Sequence, residues 1–140
     1  MDVRELGDIE EIRRVLIEYG RTLDSGDAAG YAALFTVDGE WSGGPYSASK
    51  RDGIQAMAQR VIDSRDPSSS MAHVLTNMLV DVSGDTAKAW SRWMLVVPGT
   101  DGAMMIRRSG SYDDQLVRTA EGWKFARRVV NHDVPLKVKK

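Results

Sequence analysis

The hydrophobic period changes once along the chain, near residue 70, and this change limits the folds that are open to it. Before that point, apolar residues recur at alternating steps of three and four, which is the spacing of one helical face. After it, four segments rich in Val, Trp, Tyr and Met are separated by the short turns SGD, GTDG and TAEG. Helices followed by antiparallel strands predict an α+β fold with three helices packed on one face of a sheet.

The first half of the chain predicts three helices. Asp8 and Glu11 have the spacing of a capping box, so the first helix is expected to begin there and to end at 25–26. Asp27 can cap a second, shorter helix through AAGYAALF. The segment GEWSGGPYSAS has too many glycines for a helix and predicts a short strand and a turn. A third helix is expected over 50–64. Its inward residues are expected to be Ile54, Met57, Val61 and Ile62.

Length and charge restrict the classes of function. A chain of 140 residues predicts one domain, 1–140, with 136–140 as a frayed tail. The formal net charge of -1 gives no field that attracts nucleic acid or an anionic membrane, so neither is expected as a partner. The acidic N-terminus lacks the pattern of a signal peptide, and no segment is apolar enough to span a bilayer. We therefore expect a cytoplasmic protein.

Several kinds of chemistry find no support in the sequence. Without cysteine there is no disulfide, thiolate nucleophile or zinc-thiolate site. The two histidines have no clustered ligands around them, so no metal site is expected. No nucleophile elbow, P-loop or dinucleotide fingerprint is present, and SGGPYS lacks the helix-opening context of a phosphate site. No cofactor is therefore expected.

One histidine stands inside an apolar strand, in MAHVLTNMLVDV. Side chains alternate along a strand, so His73, Leu75, Asn77 and Leu79 are expected on one face. Two interpretations are open at this point. His73 is a packed core residue with a hydrogen-bond partner, or it is a general base, which works best when a carboxylate fixes its tautomer.

The candidate carboxylate is Asp24, at the end of the first helix. It lies about 100° round from the centre of the apolar stripe, at the margin between core and solvent. From there a carboxylate can lean over a sheet. An aspartate in LDSGD is equally common as a simple turn residue, so the sequence pattern leaves both roles open.

Four segments in order carry a resemblance to a known family: EYGRTLDSGD, ALFTVDGEW, HVLTN and GWKFARR. Over residues 9–133 the chain resembles the NTF2-like superfamily, and within it the SnoaL-like group that includes scytalone dehydratase, bile-acid 7α-dehydratase and lindane dehydrochlorinase. The resemblance implies a cone, in which a strongly curved, mainly antiparallel sheet and the helices enclose a deep apolar pocket. Asp24 and His73 match the aspartate and histidine of the catalytic dyad in the eliminating enzymes.

The same resemblance implies further site residues. Tyr19 matches a tyrosine that holds or protonates a substrate oxygen, and Trp41 matches an aromatic pocket wall. The GWKF motif turns the face of Lys124, Ala126, Arg128, Val130 and His132 inward, with Arg128 as a cation able to bind a leaving group. By the same register, four residues of the second and third strands are expected to line the pocket: Trp93, Leu95, Arg108 and Tyr112. The open alternatives are plain packing for the aromatic residues and solvated or paired arginines, with either Arg127 or Arg128 facing the pocket.

The expected function is a cofactor-free lyase of the dehydratase type, acting on a small, apolar and cyclic substrate. His73, held by Asp24, is expected to remove a proton from carbon before water or another leaving group departs. Isomerisation and cyclisation share this first step and stay open. A different alternative is a non-catalytic ligand-binding or assembly module, such as the β subunit of a ring-hydroxylating dioxygenase. Apolar residues on both faces of the strands predict a homo-oligomer, dimer or trimer.

Overall fold

A computed structural model describes residues 1–137 of the chain, in which there are three helices and six strands. In chain order they are α1 Val3–Ser25, α2 Ala28–Ala32, β1 Phe35–Gly43, β2 Tyr46–Ser49, α3 Lys50–Asp63, β3 Ala72–Ser83, β4 Thr86–Pro98, β5 Met104–Thr119 and β6 Gly122–His132. The predicted α+β class is confirmed. Of the tail predicted at 136–140, residues 138–140 lie outside the described residues.

The strands form one curled, open sheet in the order β2-β1-β6-β5-β4-β3. Neighbouring strands are antiparallel except β1 and β6, which run parallel. The helices cover the concave face: α1 lies against β3, and α3 lies against β1 and α2. The strand order places the long strands β3, β4, β5 and β6 side by side beneath α1, which gives the fold a continuous floor.

The helix ends are set by short polar contacts. Helix α1 begins earlier than the predicted cap at Asp8, because the side chain of Asp2 accepts a 2.8 Å hydrogen bond from the backbone N–H of Glu5. It ends where predicted, at Gly26, whose φ of 81° is favourable only for glycine. Asp27 caps α2 as predicted, through a 2.8 Å bond from the N–H of Gly30.

The core fills the space between the helical layer and the sheet. From α1 the buried stripe contributes Ile12 and Leu16, and the sheet contributes Phe35 and Phe125, none more than 1% exposed. Burying a side chain of this size contributes roughly 1.5–3 kcal/mol to stability. The inward face predicted for α3 is confirmed, since Ile54 is fully buried and its other predicted members contact the core or the cavity described below.

An extra residue in β3 changes the face predicted for half of that strand. Thr76 pairs with Arg92, but the next pair joins Leu79 to Trp90, so β3 advances three residues while β4 advances two. Asn77 lies at this bulge with a φ of 56°. The predicted common face of His73 and Leu79 is therefore wrong, because Leu79 is 64% exposed on the convex side.

A second extra residue corrects the face predicted for β6. Phe125 pairs with Leu116 and Arg127 with Gln115, so Ala126 is the additional residue. Strict alternation predicted Phe125 and Arg128 on opposite faces, and this is wrong because both are fully buried. Lys124 and Ala126 do not share the inward face of Arg128. The predicted inward orientation of Arg128 itself is confirmed, whereas Arg127 lies exposed.

Asp8 ties α1 to the far end of the sheet. Its two carboxylate oxygens accept bonds of 2.8 and 2.7 Å from Arg118, and the indole N–H of Trp123 donates to the same carboxylate at 3.1 Å. The hydrogen bonds from Arg118, more than those from Trp123, lower the pKa of Asp8 from 3.8 to about 2. The carboxylate therefore stabilises the folded state only while it is ionised.

Acid titration should reveal this contribution. A folded-state pKa below the unfolded value stabilises the fold above the unfolded pKa, and the gain is lost as the pH falls through the folded value. We expect the free energy of unfolding of the wild type to fall further between roughly pH 5 and pH 2 than that of Asp8→Asn, measured by urea unfolding. Asp38→Asn, at an exposed position of β1, is the control and should follow the wild type. Parallel curves for the wild type and Asp8→Asn would contradict the assignment.

Candidate active site

A cavity of about 270 Å³ opens between the helices and the concave face of the sheet. Its walls are mainly aromatic and aliphatic, and they come from all three helices, the β1–β2 hairpin and strands β3 to β6. Nine of the residues predicted for the site line it: Tyr19, Trp41, His73, Trp93, Leu95, Arg108, Tyr112, Val130 and His132. Asp24 lies behind His73, and Arg128 is not part of the wall.

Asp24 holds His73 at two points. One carboxylate oxygen lies 2.6 Å from the ring nitrogen Nδ1, and the other accepts a 2.8 Å hydrogen bond from the backbone N–H of the same residue. The two side chains are 23% and 14% exposed, so the pair lies at the margin of the core. The end of α1 is held in turn by Arg65, which donates to the carbonyl oxygens of Leu23 and Asp24.

This contact determines which ring nitrogen of His73 carries the proton in the neutral form. An ionised carboxylate can only accept hydrogen bonds, so Nδ1 must be the donor to Asp24. The lone pair then lies on Nε2, and no side-chain hydrogen bond within residues 1–137 occupies it. His73 lines the cavity, and the Asp24 carboxylate at its Nδ1 is placed to stabilise an imidazolium when the ring takes up a proton.

The close approach of α1 to β3 depends on Gly20. A Cβ atom at this position would lie 3.1 Å from the Cβ of His73 and 3.4 Å from its carbonyl oxygen. The helix can therefore rest directly on the strand, one turn before Asp24. This short separation brings the aspartate within reach of both hydrogen-bond positions of His73.

Tyr19 presents a polarised hydroxyl group to the cavity. The indole N–H of Trp41 donates to it at 2.9 Å, and the hydroxyl of Tyr31 donates at 2.8 Å. With both acceptor positions taken, the proton of Tyr19 remains available to a ligand. Burial raises the pKa of Tyr19, so its hydroxyl keeps the proton at neutral pH. Trp41 thus does more than form the predicted wall, because it also orients Tyr19.

Arg128 corrects one prediction, because it does not reach the cavity. Its guanidinium is 0% exposed and forms bonds of 2.7 and 2.8 Å to the equally buried carboxylate of Asp114. The rings of Tyr19 and Tyr112 enclose it, with centroids 4.1 and 3.7 Å from its central carbon. Burial alone would lower its pKa, but Asp114 outweighs this and raises it, so the cation persists. A direct contact between Arg128 and a leaving group is therefore not available.

The wall opposite Asp24 combines aromatic rings with two basic groups. Trp93 and Tyr112 stack with centroids 5.8 Å apart, and the ring of His132 meets Trp93 edge-on at 5.3 Å. Arg108 stands beside them. Burial, and then the charge of Arg108, lower the pKa of His132, so its imidazole is neutral at neutral pH.

Sequence reasoning did not assign eight lining residues to the site: Leu23, Tyr31, Gly43, Tyr46, Met57, Val61, Met71 and Leu136. Met57 and Val61 were expected only as inward residues of α3. The apolar stripe of α1 contained the signal for Leu23, and the position of Met71 before His73 contained another. Tyr46 and Gly43 enter through the β1–β2 hairpin, whose fold over the cavity has no sequence signature. Leu136 comes from the segment predicted as a tail.

Two further features of the described residues bear on function. No helix within 1–137 is both long and apolar enough to cross a membrane. In the same range, no three or more His, Asp or Glu side chains are grouped as metal ligands.

The fold and the cavity agree with the family to which the sequence is related. The sequence profile of the SnoaL-like domain matches residues 4–129. The chain therefore belongs to the SnoaL-like domain family, within the NTF2-like fold.

The solved structures that are similar to it include the following three. An NTF2-like protein with a cystatin-like fold from Novosphingobium aromaticivorans is 30% identical, with a TM-score of 0.81 over 94% of this chain and 85% of that one. A protein named "putative scytalone dehydratase" from the same organism is 25% identical, with a TM-score of 0.79 over 96% and 91%. The β subunit of a "putative aromatic-ring-hydroxylating dioxygenase", also from that organism, is 18% identical, with a TM-score of 0.77 over 99% and 95%, and shows the fold alone.

The contact at Gly20 can be tested against a second glycine of the same helix. A Cβ atom at Gly7 would meet nothing within 4 Å. Gly7→Ala should therefore raise the free energy of unfolding by about 0.5–1 kcal/mol. Gly20→Ala should fall short of this gain, because the new methyl group presses on His73. Urea unfolding measures both, and an equal gain at the two positions would show that α1 is not closely seated on β3.

Proposed function

We propose that the protein is a cofactor-free lyase of the dehydratase type, acting on a small apolar cyclic substrate inside the cavity. The observation that carries this proposal is the double contact of Asp24 with the ring and backbone of His73. A histidine needed only for packing can be satisfied by a single hydrogen bond. Here the carboxylate fixes Nδ1 as the donor, which leaves Nε2 as the basic nitrogen that the proposed mechanism needs.

The reaction begins with proton removal from carbon. Nε2 of His73 takes a proton from a carbon next to an activating group, and the Asp24 carboxylate stabilises the imidazolium that results. The electron pair of the broken C–H bond forms the new double bond as the bond to the leaving group breaks. A leaving hydroxyl takes the proton of the Tyr19 hydroxyl and departs as water, whereas a halide departs as the anion. The proton held on His73 then passes to solvent, and Tyr19 takes a proton back from solvent.

Tyr19 is suited to assist the departing or activating oxygen. Its hydroxyl accepts from Trp41 and Tyr31, which leaves its own O–H free to donate to a substrate. Such a donor stabilises negative charge that develops on a substrate oxygen. Arg128 does not contact the substrate and is a positioning residue, because its guanidinium lies against the ring of Tyr19. Isomerisation or cyclisation would use the same groups for the same first step.

We also propose that the convex face of the sheet joins copies of the chain. Three apolar side chains lie exposed there: Val74 at 38%, Leu79 at 64% and Trp90 at 36%. Apolar residues grouped on one face of a sheet are typical of a covered surface. The predicted dimer or trimer follows from this face.

Light scattering tests the assembly. The wild type should have a mass two or three times the 15.5 kDa of one chain at micromolar concentration. Leu79→Lys combined with Trp90→Lys should shift it to the monomer, since a charge cannot be buried unpaired in the interface. Val3→Lys, at an exposed apolar position of α1, should leave the mass unchanged. A wild type of about 15.5 kDa would contradict the proposal.

Turnover of an active substrate tests the catalytic assignment. Hydroxylated and halogenated cyclic compounds are screened for elimination by absorbance of the new double bond. His73→Ala should abolish nearly all turnover while ligand binding is kept, because this residue acts on the proton in transit. Asp24→Asn should also be severe, since the amide cannot stabilise the imidazolium and can present its NH₂ to the ring. Tyr19→Phe should lower kcat by roughly 10²-fold.

A matched control completes the test. Asp38→Asn removes an exposed carboxylate elsewhere in the chain and should leave kcat unchanged. Near-wild-type turnover by His73→Ala would make His73 a packed core residue and overturn the mechanism.

A further inference from the structure

The cavity has two polar ends joined by an apolar middle. His73 pairs with Leu95 across β3 and β4, and Leu95 pairs with Arg108 across β4 and β5. All three side chains line the cavity, so they form one row across the concave face. With neighbouring strands about 4.8 Å apart, the backbones of His73 and Arg108 are separated by roughly 10 Å. A basic nitrogen thus stands at one end of the row and a cation at the other.

Within the described part of the chain, residues 1–137, the charge of Arg108 has no partner. The neighbouring acids have other partners: Asp133 binds Arg92 and Ser109, and Asp24 binds His73. No ion pair or side-chain hydrogen bond within residues 1–137 includes Arg108. Its guanidinium keeps all of its donors for a ligand at the mouth of the cavity.

His132 gives this end a second hydrogen-bonding group. The imidazole is fixed edge-on against Trp93, and its pKa is lowered, first by burial and then by Arg108. A neutral imidazole offers one N–H donor without adding charge. Cation and neutral donor side by side match the two oxygens of a carboxylate.

We propose that the cavity binds a monocarboxylate of a small ring compound, with the carboxylate at Arg108 and His132 and the reacting carbon at His73. The volume of about 270 Å³ lies just below the roughly 300 Å³ at which drug-sized sites begin, and so fits one or two fused rings. The row spacing sets the distance between the carboxylate and the reacting carbon. This inference rests on the proposed function for the role of His73 only, and the binding of the carboxylate is independent of turnover.

Calorimetric titration with a matched pair of probes tests the proposal. The charged probe is 2-naphthoate, and 2-naphthamide is its neutral analogue of the same shape. At low ionic strength the wild type should bind the carboxylate about tenfold more tightly than the amide. This is the lower end of the range for a charge-assisted hydrogen bond, because water partly screens the contact. Arg108→Gln should bring the ratio of the two Kd values close to one.

The next residue in the chain supplies the control. Arg107 is the extra residue of a bulge in β5, is exposed like Arg108, and does not line the cavity. Arg107→Gln makes the same change of net charge and should keep the tenfold ratio. If both variants lost the preference for the carboxylate over the amide equally, general surface charge would explain it, and the proposal would be overturned. A wild type that binds the amide as well as the carboxylate, or that binds neither at millimolar concentration, would also overturn it.

His73→Ala separates this inference from the proposed lyase activity. The variant should keep the carboxylate preference, because it leaves Arg108 in place. A preference that depends on Arg108, found without any turnover, would support the carboxylate site and argue against the lyase. Turnover that depends on His73 but is confined to neutral compounds, with a ratio near one, would support the lyase and overturn the carboxylate site.

Discussion

One carboxylate joins the helical layer to the sheet at the cavity, and the candidate site depends on this contact. Asp24 stands in the last turn of α1, whose end is fixed by the left-handed Gly26 and by Arg65 on the last carbonyl groups. Because the carboxylate binds both the backbone and the ring of His73, it cannot turn away from the histidine without losing two hydrogen bonds at once. The same contact positions the strand under the helix and selects the tautomer of the ring.

The aromatic layer beneath the cavity is organised around a buried cation. Arg128 lies between the rings of Tyr19 and Tyr112, and its bidentate bond to Asp114 compensates for the loss of water. Its Nη1 atom has no hydrogen-bond partner within the described residues. The guanidinium also lies over the ring of Phe125, so aromatic faces surround it. The positive charge favours the ionised form of Tyr19 while burial opposes it, which leaves a hydroxyl that is protonated and yet polarised. Removing Arg128 would leave the Asp114 carboxylate buried without a partner and lower the stability of the fold by about 3–5 kcal/mol. A loss of activity in such a variant would therefore reflect misfolding before any catalytic role.

The sequence predicted the structure correctly where the spacing of apolar residues is regular. The steps of three and four in α1 correctly predicted that Tyr19 is buried, and the composition of the later segments predicted the strands. The pairing of Asp24 with His73 came from resemblance, because a turn aspartate and a catalytic one look alike in LDSGD. Single-residue bulges were beyond prediction. Asn77 and Ala126 each shift a strand by one position. Asparagine tolerates the positive φ found at Asn77, but one asparagine in an apolar strand is not enough to predict a bulge, and Ala126 gives no signal at all.

These bulges explain how a sheet of regularly alternating strands curves enough to enclose a site. An extra residue bends and twists its strand, so each one adds to the curl of the sheet around the helices. The bulge at Ala126 lets Phe125 support the core while Arg128 still turns inward beneath the tyrosines. The bulge at Arg107 aligns Arg108 with Leu95, and through it with His73. The irregular positions of β5 and β6 are therefore the ones that bring the two polar ends of the cavity onto a single concave face.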